Sequence, residues 1–184
     1  MDNMMNEMGG AFMVAWLAGG MDDLGGALVL AAAWMAISGA HILPVITWGH
    51  IMTGDLGDTD AWTDNGSRLV AQMIGAILAL MLVGEGSHTA AAAPDLWSFD
   101  LWATLTAVGA GALLWTVYDR CDAWVTAFVV MAMAGTLSLG GAADMGGALI
   151  GGGDDMAASA VAWIMDGLWV GVGALVATKV PDML

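Results

Sequence analysis

Six apolar stretches, residues 4–20, 24–40, 69–84, 101–118, 123–139 and 157–178, recur along the 184-residue chain. Four of them hold no acidic or basic side chain, and the other two hold one each, Glu7 and Asp166. Most run 16–18 residues, or roughly 25 Å as helix, the short end of what crosses a hydrocarbon core of about 30 Å. Gly and Ala are dense in them, as expected where helices approach closely in lipid. The pattern predicts an all-α membrane protein of one domain, residues 1–184.

Two shorter apolar pieces, residues 44–52 and 146–150, lie between stretches two and three and between five and six. Pro44 suits a first helical turn, where its missing N–H has no intrahelical partner to lose. Neither piece is long enough to cross, so each reads as a re-entrant half-helix. Six crossings with two half-helices at equivalent places fit an inverted repeat of three crossings each, about 4–84 and 98–178. With the N-terminus cytoplasmic, Arg68, Arg120 and Lys179 all fall on the cytoplasmic side, as the positive-inside rule requires. The expectation is a multi-pass protein of the cell membrane with both termini inside.

The loop ahead of the first half-helix carries a recognisable motif. Ser38-Gly39-Ala40-His41, followed by Pro44, Thr47 and Gly49, resembles the first signature loop of the major intrinsic proteins, the aquaporins and aquaglyceroporins. That family reads Ser-Gly-(small)-His-(apolar)-Asn-Pro-Ala-Val-Thr; this chain has Leu43 for the Asn and Val45 for the Ala. Gly141 and Gly151 flank Met145 at the spacing with which Gly39 and Gly49 flank Leu43. Residues 141–151 therefore resemble the second loop, with Met145-Gly146-Gly147-Ala148 in place of Asn-Pro-Ala-Arg. Glu7 and Asp100 open the first and fourth stretches as the family's Glu-x-x-Gly-Thr does. Gln72, Gly75 and Ala76, then Trp163, Gly167, Gly171 and Ala174, match its third and sixth helices, although Leu168 replaces a Pro. The resemblance runs from about Glu7 to Ala174.

It implies a definite architecture: an aquaporin-like inverted repeat of six transmembrane helices plus two re-entrant half-helices. The half-helices would meet tip to tip at mid-membrane, their positive ends opposing cations. Backbone carbonyls near 39–42 and 142–144 would form an acceptor ladder for small polar molecules. Glu7 and Asp100 would hold the neighbouring loops, and His41 would fix its loop or line a vestibule. The family's selectivity constriction would fall at Asp23, Met133 and Ala148, lacking the usual aromatic and Arg. A homotetramer is also implied. Leu43 and Met145 cannot donate hydrogen bonds as the family's two Asn do, so selectivity is expected to be altered.

Three acidic residues keep two readings each. Asp166, in mid-stretch, marks either function or a carboxylate hydrogen-bonded to a neighbouring helix. Asp144 either N-caps the second half-helix or offsets its positive end in favour of a cation such as ammonium. Asp23 is a solvated loop residue or a filter residue. His50 and His88 read as surface or interfacial, and Trp48, Trp62, Trp97 and Trp124 as anchors at the headgroup level. The 16 Met are flexible apolar filler.

A net charge of −15 argues against nucleic-acid binding, which needs clustered positive charge. The excess is mostly Asp in connecting segments (Asp55, Asp58, Asp60, Asp64, Asp154, Asp155), a balance suited to solvation in strong salt. A single Cys121 forms no internal disulfide. The N-terminus, with Asp2 and Glu7, lacks the basic patch of a cleavable signal. No cofactor or metal is expected, and no constellation of nucleophile, base and orienter marks an enzyme. The expected function is a passive channel for water or small neutral solutes such as glycerol, ammonia or a dissolved gas. The alternative is a non-conducting structural or assembly subunit of the same fold.

Overall fold

In the computed structural model the chain is all-helical across the described residues, 2–18, 21, 23–83, 100–134, 137, 139–151 and 156–180. Gly20, Asp22, His88, Trp97, Asp154, Asp155 and the repeat boundaries near 84 and 98 lie outside them. Eight helices follow in order: α1 Asp2–Ala18, α2 Leu24–Ala36, α3 Pro44–Thr53, α4 Thr59–Val83, α5 Leu101–Arg120, α6 Ala123–Ala134, α7 Ala142–Gly151 and α8 Met156–Lys179. Three of them, α4, α5 and α8, are long and apolar enough to cross a membrane; α2 and α6 are apolar but shorter.

Local chemistry sets the starts. Asp23 caps α2 by accepting from the Gly26 N–H at 2.7 Å, and Asp100 caps α5 by accepting from Trp102 and Ala103. Asp58 accepts from the amides of Asp60 and Ala61, so α4 begins at Thr59, ten residues before the apolar stretch. Asp60 and Asp64, read from the sequence as part of an acidic loop, are thus helical. Asp60 lies in the first turn, where an acid suits the positive end of the dipole.

Pairing follows a regular scheme. α1 packs on α4 and α2, and α5 packs on α8 and α6. The two 10-residue helices cross over: α3 lies against α8 as well as α4, and α7 against α4 as well as α8. α2 and α6 meet each other. Glycines, Gly75, Gly111 and Gly173 among them, let helices touch backbone to backbone. A Cβ on Gly75 would strike the Met8 carbonyl and the Phe12 amide; one on Gly173 would strike the Val108 carbonyl and the Ala112 amide. The enclosed core is apolar, with Leu30, Ile42, Leu43, Ile46, Val130 and Met133 among its members. Large apolar side chains such as Met35, Leu82 and Trp102 point outward, as lipid-facing positions would.

Candidate functional site: the clamped loop ahead of α3

The loop from 37 to 43 turns sharply to deliver Pro44 to the start of α3. Gly39 takes φ +80°, which glycine tolerates, but Ile42 takes φ +65°. A β-branched residue in that region is a strained outlier costing roughly 1–3 kcal/mol. Such a conformation persists only where its surroundings over-determine it, and here they do.

Glu7, fully buried on α1, is the hub. Its Oε1 accepts the His41 N–H at 2.6 Å and Arg68 Nη1 at 2.8 Å. Its Oε2 accepts the Ile42 N–H at 2.7 Å and Gln72 Nε2 at 2.7 Å. Four donors fill the acceptor capacity of one carboxylate. Gly10, one turn along α1, lies so close to the Ile42 side chain that any Cβ there would displace it. Arg68 also donates to the Gly39 carbonyl at 3.0 Å and, through Nε, to Asp64 at 3.1 Å. Gln72 Nε2 reaches Thr47 Oγ1 at 3.0 Å, which in turn lies 3.1 Å from His41 Nδ1.

Beyond His41 lies an aromatic cluster. The His41 and His50 rings stack, with centroids 4.1 Å apart and planes 4° from parallel. His50 meets Trp115 and Tyr118 edge-on, and its Nε2 is 3.5 Å from the Tyr118 hydroxyl. Trp34 Nε1 donates to the His41 carbonyl at 3.0 Å. His41 itself is buried, at 7 % exposure.

The second loop is built differently. Gly140 takes φ +57°, Trp163 Nε1 of α8 donates to the Gly141 carbonyl at 3.1 Å, and the Gly141 N–H donates to Asp144 at 3.1 Å. An acid on the third helical residue reaching back to the cap amide favours starting the helix at Ala142. That is four residues earlier than the sequence reading. Asp144 is therefore inside α7 rather than its N-cap, and Met145, Gly146, Gly147 and Ala148 are buried helix positions rather than a loop followed by a tip.

Glu7 meets the first loop at the His41 and Ile42 amides, and Gly39, Ala40, His41, Leu43, Pro44 and Val45 follow through that loop into α3. Asp100 does not take the role given to it: it is exposed and its carboxylate caps α5. Asp23 is likewise exposed and caps α2, while Met133 is buried on α6 and Ala148 on α7. His50 is half-buried in the ring cluster rather than superficial. Trp48 is 7 % exposed and packed against Gly167 and Gly171, not an interfacial anchor. Sequence reasoning missed Arg68, Trp34, Tyr118 and Trp163 as members of these sites. Only Arg68 left a signal: a rare cation four residues after Asp64 and four before Gln72. Models of known protein families give no match to this chain, and neither do the curated proteins searched.

Proposed function

We propose that the chain is an aquaporin-type membrane protein, built as an inverted repeat of six crossings and two half-helices, that passes small neutral molecules passively. The crossed packing carries this reading: α3 leans on the last long helix, α8, while α7 leans on α4. Two halves related by a pseudo-twofold axis in the membrane plane would pack in that way, each lending its half-helix to the other. Residue spacing supports it. Gly75 and Gly173 make the same backbone contacts and are 98 apart (173 less 75), as are the half-helix starts Pro44 and Ala142 (142 less 44).

This spacing revises the alignment of the second loop. The counterpart of Leu43 becomes Gly141, and Asp144, in place of Ala148, takes the position where the resemblance puts the filter's Arg. A carboxylate there offsets the positive end of α7 and lowers the barrier to cations. Neutral solutes and ammonium are favoured over anions. By resemblance the assembly is a homotetramer in the cell membrane with both termini cytoplasmic.

A second reading, a non-conducting structural subunit, has an observation of its own. The Gly39 and His41 carbonyls, which a solute file would use, already accept from Arg68 and Trp34, and Leu43 is buried at the tip of α3.

Stopped-flow measurements on proteoliposomes, in osmotic gradients of sucrose, glycerol and an ammonium salt, separate the two. The channel requires at least one permeability well above protein-free liposomes. None above that level overturns it and leaves the structural subunit. In the same vesicles Cys121, exposed at the α5–α6 turn, should react with a membrane-impermeant maleimide from the cytoplasmic face alone.

A further inference from the structure

We propose that Asp166 holds the second loop, doing from α8 what Glu7 does for the first loop from α1. The assignment rests on the paired-halves reading above for its register and on the contacts of Gly140 for its placement. Met8 and Val108 are counterparts, both presenting their carbonyls to the paired glycines, a spacing of 100 (108 less 8). Glu7 therefore corresponds to Ala107. At the spacing of 98 that relates α4 to α8, Arg68 corresponds to Asp166 and Gln72 to Val170. The clamp trio Glu, Arg and Gln becomes Ala, Asp and Val, and only Asp166 of the three can accept a backbone N–H.

Its position fits that task. Gly140 backs onto α8: a Cβ there would lie 3.1 Å from the Trp163 carbonyl, 3.5 Å from Asp166 Cβ and 3.6 Å from the Gly167 amide. Trp163, almost one turn earlier on α8, donates to the Gly141 carbonyl. One helix thus offers the loop a donor for its carbonyl side and an acceptor for its amide side. In the first half those offices are split between Arg68, on the Gly39 carbonyl, and Glu7, on the 41–42 amides. Asp144, the other carboxylate at the second loop, already takes the Gly141 amide. Asp166 is half-buried in an otherwise apolar helix, where a carboxylate is costly unless its acceptor sites are used. It is a positioning residue.

Hydrogen exchange on the full-length protein in lipid nanodiscs tests this by comparing loops 39–43 and 139–143. Asp166→Ala should speed exchange at 139–143 by about tenfold, the equivalent of one lost hydrogen bond to a charged acceptor, and leave 39–43 unchanged. Glu7→Ala should do the converse. Should Asp166→Ala fail to fold, Asp166→Asn, which keeps one acceptor oxygen, is read in the same way with a smaller rise. Unchanged exchange at 139–143, or equal acceleration in both loops, overturns the assignment. The measurement reads the loop directly, so a protein that conducts nothing can still pass it.

Discussion

Glu7→Ala removes the acceptor of four donors, three of them buried, in one step. Two of them have somewhere else to turn: Arg68 keeps Asp64 and the Gly39 carbonyl, and Gln72 keeps Thr47. The His41 and Ile42 amides are stranded. Each buried amide left unpaired costs about 1–3 kcal/mol, and removing one side of a buried ion pair costs about 3–5 kcal/mol. The contributions overlap because they share one network. Arg68, at 11 % side-chain exposure, also retains partial solvation. The expected loss is therefore about 3–5 kcal/mol rather than the full sum. Equilibrium unfolding in mixed micelles, followed by tryptophan fluorescence, measures it. Glu7→Ala with Arg68→Met should lose less than the two single variants added together, since no uncompensated guanidinium then remains. A Glu7→Ala loss below about 1 kcal/mol, or strict additivity in the double variant, would refute the clamp as the determinant of this loop.

Two further outcomes follow from the same contacts. Gly75→Ala drives a methyl into the α1 backbone and should cost about 1–3 kcal/mol. Gly9→Ala, with nothing within 4 Å of the new carbon, should be neutral or stabilise by up to about 1 kcal/mol in the same assay.

The helices were legible because long apolar runs bounded by turn residues and charges carry their own limits, and three of these helices are long and apolar enough to cross a membrane. The first loop was legible too: Gly39 and Pro44 carry backbone demands in their identities, and the resemblance gave Glu7 and His41 to that loop. The start of α7 was not, because no proline marks it; Asp144 reaching back to Gly141 sets it, and that contact exists only once the turn has formed. Asp100 misled for a related reason, as an acid ahead of an apolar run serves as a helix cap or a loop holder with the same letter. Sequence by itself determined the apolar helical runs, three of them long enough to cross a membrane, and the frame of the first loop. Tertiary structure alone decided that His50 stacks on His41, that Arg68 closes the Glu7 network from 61 residues away, and that α3 and α7 pack against opposite long helices. Those outcomes depend on side chains from distant segments meeting at hydrogen-bond range, where directional and short-ranged forces leave no periodicity in the chain to read.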